Sequence, residues 1–240
     1  MGKPIKFIAK LSHVREVSLL GTADLGYWRE HLGRAGLEPA QQAGRAQILI
    51  IASAASFRGV RFRELNVTAL VARSGDGTPA DASALIHAYN SNRLLALCER
   101  ALFSTPYTRG DVRVSASLPA SLGVVDPDGS AFRAEMGDGP APGREPSRCG
   151  DDGWEGPVFL PGGTRPGRLF FARIRGETRS YPFRGGVDSL RIEPASGPGI
   201  IRTLADSGFV PEEWIIRDDA VHARSRTLHG PGATATSLRA

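Results

Sequence analysis

The stretch from Ala84 to Val114, ALIHAYNSNRLLALCERALFSTPYTRGDVRV, constrains the fold most, because it alone reads as a long helix in a chain otherwise made of strand-like runs. The pattern predicts a helix over Ala84–Phe103, capped by Asp81 or Ser83 and stopped ahead of Pro106, whose ring cannot continue it. Its apolar residues do not keep to a single stripe, since His87, Asn90, Ser91 and Asn92 interrupt them. Such a helix is either covered on more than one side or borders a polar cavity. After Pro106, Asp111 to Leu118 alternates as a strand with Val112, Val114 and Ala116 on one face. A helix handed onto a strand through the turn Ser104–Gly110 is well placed to present side chains to a small-molecule pocket.

Strand-like runs surround this segment. Val14–Leu20 alternates, Asp24 caps a short helix through LGYWREHLGRAGL that Gly36 ends, and Ala46–Ala55 is a buried strand by its branched apolar content. In Arg63–Ala72, Leu65, Val67, Ala69 and Val71 share one face, which leaves Glu64, Asn66 and Thr68 on the other. Ser74–Ala80 is a turn. Residues 126–157, apart from a short strand near Phe132–Met136, read as a long flexible loop, because GDGPAPGREPSRCGDDGWEGP is dense in Gly and Pro. Further strands are expected at Val158–Leu160, Leu169–Arg175, Arg179–Phe183, Ser189–Glu193, Glu213–Arg217 and Val221–Leu228, with a helix near Gly199–Ser207. Residues 229–240 read as a disordered tail. The expectation is therefore one domain over 1–228, mainly β (α+β), with a curved antiparallel barrel-like sheet and a few helices at its mouth.

Charge decides little here. The net charge is +5 and the pI about 9.7, yet lysine occurs only at Lys3, Lys6 and Lys10, and the arginines are spread among Asp and Glu along the whole length. Nucleic-acid binding wants basic residues clustered on one patch, so no nucleic-acid partner is expected. No apolar run approaches the about eighteen residues of a membrane span, and no signal-like core follows the basic start. A cytoplasmic protein without a membrane partner is expected. Cys98 and Cys149 read as two reduced thiols.

Known catalytic signatures are missing. His13, His31, His87, His222 and His229 form no HxH or HExxH, the cysteines form no CxxC, and neither a phosphate loop nor a GxSxG elbow occurs. No metal and no cofactor is expected.

An ordered set of short motifs remains: the strand closed by Asp24, the helix ending in AGLEP (Gly36–Pro39), a buried strand, then Gly59-x-x-Phe62-x-Glu64, and finally ERALFSTPYTRGDVRV. In that order, over Val14–Val114, with a weaker match in LFFARIRGETRSYPF, they resemble the acetoacetate decarboxylase-like superfamily. The resemblance implies a cone-like antiparallel barrel enclosing an apolar cavity. In the family's decarboxylases a lysine after a proline, in the stretch matching Ser104–Gly110, forms a Schiff base with a keto acid. Here the two residues after Pro106 are Tyr107 and Thr108, so the resemblance is to a divergent member lacking that lysine.

On this reading Glu64 is the candidate acid or base: facing a cavity, it has its pKa raised by desolvation, and otherwise it pairs with Arg61 or Arg63 at a strand start. Tyr107 is either a hydrogen-bond donor to a substrate carbonyl or a ring packed under the helix. Arg15 and Arg109 are candidate carboxylate holders, Tyr89 a candidate cavity wall, and His222 a candidate inward-facing base. Glu99-Arg100 resembles the family's Arg-Glu pair in reversed order. The functional expectation is a lyase, isomerase or cyclase working on a small carbonyl or carboxylate compound by acid and base catalysis. Its alternatives are a non-catalytic small-molecule-binding barrel and a purely structural domain. A homo-oligomer is compatible with the sequence.

The lysine distribution generates a chemical prediction. Borohydride reduction in the presence of acetoacetate leaves no adduct on residues 11–240, as read by peptide mass spectrometry. Trapping of an imine at Lys3, Lys6 or Lys10 is the outcome that contradicts an imine-free chemistry.

Overall fold

A computed structural model describes residues 4–72, 79–137, 144–165 and 167–229. The chain opens with β1 (Phe7–Ala23), and Asp24 then caps α1 (Leu25–Gly33) by accepting from the Tyr27 amide at 2.7 Å. Next come β2 (Gln41–Gln42), β3 (Arg45–Phe57), β4 (Val60–Ala72) and β5 (Pro79–Asn90). Helix α2 (Arg93–Phe103) leads to β6 (Tyr107–Arg109), β7 (Asp111–Ser115), β8 (Ser121–Val125) and β9 (Ala131–Glu135). The remainder is β10 (Arg148–Asp151), β11 (Trp154–Phe159), β12 (Arg168–Arg175), β13 (Glu177–Pro182), β14 (Ser189–Glu193), α3 (Ile200–Asp206), β15 (Val210–Ser225) and β16 (Leu228–His229).

Strands β15, β1, β3, β4, β5, β11 and β12 hydrogen-bond in that order, and β12 returns to β15 over Ala172–Arg175. Seven strands therefore close a barrel. The fold is mainly β, as expected; the ring is antiparallel except at β5 and β11, which run parallel with Val158 opposite Ser83 and Phe159 opposite Ala84. A second sheet, in the order β14-β9-β8-β7, lies against the outside of the barrel.

Two cores result. The larger lies between the outer barrel face (Val17, Leu19, Ile50, Leu65, Val67), the helices (Trp28, Leu32, Leu204) and the small sheet (Val112, Leu122, Phe132). The smaller joins Leu85, Ala88, Tyr107, Val158, Leu160 and Phe170 across the barrel, with Ala96 of α2 packed onto it. Helix α2 thus sits on one end of the barrel.

The long helix expected over Ala84–Phe103 is corrected to a strand followed by a shorter helix. Residues Pro79–Asn90 are β5, and the helix begins only at Arg93. Its cap is Asn92, not Asp81 or Ser83: the Asn92 side-chain oxygen accepts from the Leu94 and Leu95 amides at 3.0 and 3.2 Å. It ends at Ser104, which takes the left-handed conformation (φ 58°) usual for a helix terminus. In the segment 126–157, β9 matches the short strand expected near Phe132–Met136, whereas β10 and β11 replace part of the expected loop. Part of it (138–143), most of the turn expected at Ser74–Ala80, and 230–240 of the expected tail lie outside the described residues. The two strands expected at Glu213–Arg217 and Val221–Leu228 are largely one long strand, β15. Cys98 and Cys149 are free, and no helix among the described residues is long and apolar enough to cross a membrane.

The parallel seam rests on a glycine. A Cβ at Gly156 would stand 2.0 Å from the backbone oxygen of Asp81, so a side chain there forces β11 away from β5. Gly156→Ala is expected to cost about 2 kcal/mol or more. Gly33→Ala, where a Cβ meets nothing within 4 Å, is expected to be neutral or mildly stabilising. Urea unfolding of the two variants checks this.

Candidate functional site

Alternation along the ring decides what the barrel encloses. The register sets Arg217 opposite Glu16, Glu16 opposite Ser53, Ser53 opposite Glu64, and Glu64 opposite Asn90, a continuous row from β15 to β5. The neighbouring residues Val17, Ala52, Leu65 and Tyr89 belong to the outer core, so this polar row faces inward.

Glu64 does not pair with Arg61 or Arg63. One of its carboxylate oxygens accepts from the Tyr107 hydroxyl at 2.9 Å, and the other lies 3.4 Å from Ser53 Oγ. Burial raises its pKa above the usual 4.5, although the Tyr107 hydrogen bond and the charge of His222 pull the other way. Burial and the Glu64 charge push the Tyr107 phenol well above its usual 10. The arrangement matches the packed-ring reading of Tyr107: the ring packs in the inner core near Ala96 of α2, and the hydroxyl proton is donated to Glu64.

Glu16 is fully buried and has the opposite electrostatics. Its carboxylate accepts from Arg217 Nη1 and, at 3.2 Å, from Ser18 Oγ, while its other oxygen lies 2.7 Å from His222 Nε2. Burial alone would raise the Glu16 pKa, but His222 and Arg217 outweigh it and hold it at about 2. For His222, burial opposes the charge, and the Glu16 carboxylate outweighs it and raises the pKa. The close contact is an ion pair with poor hydrogen-bond alignment, which leaves Nε2 without a well-directed acceptor. Arg217 also donates to Thr178 Oγ1 at 2.9 Å.

A further cation lies beside these groups. The Arg224 guanidinium carbon is 4.3 Å from the Phe170 ring centre and 4.6 Å from that of Phe103. Its Nη1 donates to Glu99, which also accepts from Thr105 Oγ1 at 3.2 Å. Its Nε and Nη2 are buried without a partner among the described residues, as are Asn66 Oδ1 and Ser180 Oγ. Unpartnered buried polar groups are uncommon in proteins and mark places where water or a ligand completes the bonding.

Of the residues singled out in the sequence, Glu64, Tyr107 and His222 are brought together inside the barrel. Three are not. Arg15 is exposed on the outer face, and Arg109 is exposed on β6. Tyr89 is buried in the outer core, where its hydroxyl donates to Asp126 at 2.5 Å and its pKa is pushed up by burial and by that carboxylate. Glu16, Arg217 and Arg224 were not anticipated, nor was the pairing of Glu99. A signal for Glu16 exists in the sequence: Glu16-x-Ser18 repeats the polar alternation of Glu64-x-Asn66-x-Thr68, and two such runs on the strands flanking β3 in one closed barrel share its interior.

Glu16→Gln tests this balance. A carboxylate whose folded pKa lies below its unfolded value contributes stability above the unfolded value, near pH 4.5, and loses it as the pH falls toward 2. Removing the charge strands Arg217 and is expected to cost roughly 3–5 kcal/mol at neutral pH. The gap between variant and wild type then shrinks between pH 4.5 and 2, as measured by unfolding at several pH values.

No protein-family model and no curated protein matches the sequence. The fold does match solved structures. An acetoacetate decarboxylase-like enzyme from Sphingomonas wittichii RW1 superposes with a TM-score of 0.55 at 13% identity, covering 92% of this chain and 93% of that one. An acetoacetate decarboxylase structure gives 0.56 at 15% identity over 91% and 87%. Acetoacetate decarboxylase from Legionella pneumophila subsp. pneumophila str. Philadelphia 1 gives 0.55 at 14% identity over 95% and 92%. At this identity the likeness is one of fold.

Proposed function

We propose that this chain is an enzyme that moves a proton on a small carbonyl or carboxylate compound inside the barrel, by acid and base catalysis and without an imine. The observation that carries the reading is Glu64, a half-buried carboxyl with a raised pKa, hydrogen-bonded to Tyr107 and within the electrostatic reach of His222 and Arg224. The enzymes named among the similar structures support the small-molecule class. The imine is set aside because Tyr107 and Thr108 follow Pro106 and no lysine occurs after Lys10.

In this reading ionised Glu64 takes a proton from the carbon beside a carbonyl, and the electrons of that C–H bond move onto the carbonyl oxygen. His222, whose protonated form the Glu16 carboxylate favours, and the Arg224 guanidinium offer positive charge to that oxygen or to a substrate carboxylate. Glu64 then returns the proton at another atom, an isomerisation, or to a departing group, an elimination. Tyr107 orients Glu64. Leu85, Val158, Leu160 and Phe170 supply an apolar wall that excludes water and strengthens these interactions. That wall also favours a second reading, a barrel that holds a ligand without turning it over.

The test is deuterium exchange at carbon, followed by proton NMR in heavy water across a set of small ketones and keto acids. Glu64→Gln keeps the shape and the hydrogen bond but cannot take a proton, so exchange slows by roughly 10²-fold or more while the melting temperature changes little. Equal exchange in both proteins, with retained ligand binding, supports the binding barrel instead.

A further inference from the structure

On the opposite side of the same strands, the row Arg15–Ala54–Arg63 crosses β1, β3 and β4, and Ser91 closes it. Ser91 Oγ accepts from the Arg63 amide at 2.8 Å, and the Ser91 amide donates to the Arg63 carbonyl at 2.8 Å. One row further out, Ser56 stands opposite Arg61. A hollow of about 560 Å³ opens here; its charged lining is His13, Arg15, Arg61 and Arg63, and no carboxylate lines it among the described residues.

Surface arginines divide into paired and unpaired ones, and three of the unpaired ones gather at this hollow. Arg29, Arg113, Arg173 and Arg179 each have a carboxylate partner. Arg15, Arg61 and Arg63 form no ion pair among the described residues, while His13 at the rim pairs with Asp219 at 2.9 Å. Strand geometry sets the spacing. Arg61 and Arg63 are separated by about 7 Å along β4, and Arg15 and Arg63 by about 10 Å across the small Ala54. Three long guanidinium side chains at those spacings can converge on one tetrahedral oxyanion, each through paired N–H donors.

We propose that this hollow is a second binding site, for the phosphate or diphosphate group of a small molecule. A dianion with oxygens on all sides uses three guanidinium groups and the Ser56 hydroxyl, whereas one carboxylate is satisfied by a single arginine. A nucleic acid fits less well, because the unpaired charge is confined to one hollow instead of following a strip. The site is independent of the acid–base reading: Arg15 and Glu16 are neighbours in sequence but point to opposite faces of β1.

Inorganic pyrophosphate titrated calorimetrically into the full chain at low salt tests the site. Saturable binding is expected, weakened roughly tenfold or more by Arg15→Gln and by the double variant Arg61→Gln/Arg63→Gln. Arg113→Gln/Arg133→Gln on the small sheet and Glu64→Gln are expected to leave it unchanged. Absence of binding overturns the proposal, and equal weakening by the small-sheet variant shows diffuse charge and does the same. Loss of binding in Glu64→Gln places the anion inside the barrel and overturns it too. Tighter binding of a single-stranded oligonucleotide or of vesicles containing anionic lipid than of pyrophosphate, through the same arginines, replaces the small molecule with a different partner.

Discussion

A closed barrel of seven strands has an interior that cannot be left to solvent, and this chain lines part of it with charge. Glu16 is the group on which the arrangement turns. A lone carboxylate at that depth is too costly to persist, and the structure answers with Arg217 on one oxygen and His222 near the other. Because β1 pairs with both β15 and β3, the same residue that anchors the charge stands in register with Arg217 on one side and Ser53 on the other. The pairing fixes His222 beside Glu64 and favours its protonated form.

The two inner carboxyls have opposite surroundings. Glu16 faces two cations and is held ionised, whereas Glu64 faces a phenol and a serine and is biased by burial toward its protonated form. Environments that separate the pKa values of neighbouring acids are how one site comes to contain both a fixed charge and a transferable proton. The apolar wall from β5, β11 and β12 strengthens each of these interactions by excluding water.

Much of this was legible in the sequence, and the failures have physical causes. The faces of β4 followed from period-two alternation, and Glu64 with Tyr107 from the ordered motifs. Strand β5 was misread because its pairing with β4 slips: Val67 opposes His87 but Thr68 opposes Leu85. The slip turns Leu85 and Ala88 toward the same inner cluster, and that three-residue spacing imitates a helix. Asn90, Ser91 and Asn92, which looked like interruptions of a helix, are the end of β5 and the bend that leads to the Asn92 cap. Glu16 was missed because an alternating strand suggests one wet face, and closure of the barrel makes that face an interior. The same one-residue alternation sends Arg15 outward, away from the site expected for it.

The central claim is that Glu64 is a protonatable acid inside the barrel, and carbon-13 NMR of selectively labelled glutamate carboxyls, followed through a pH titration, tests it most directly. The account predicts a carboxyl that titrates above the ordinary 4.5 and whose signal disappears in Glu64→Gln. A Glu64 signal that titrates at or below that value would contradict it.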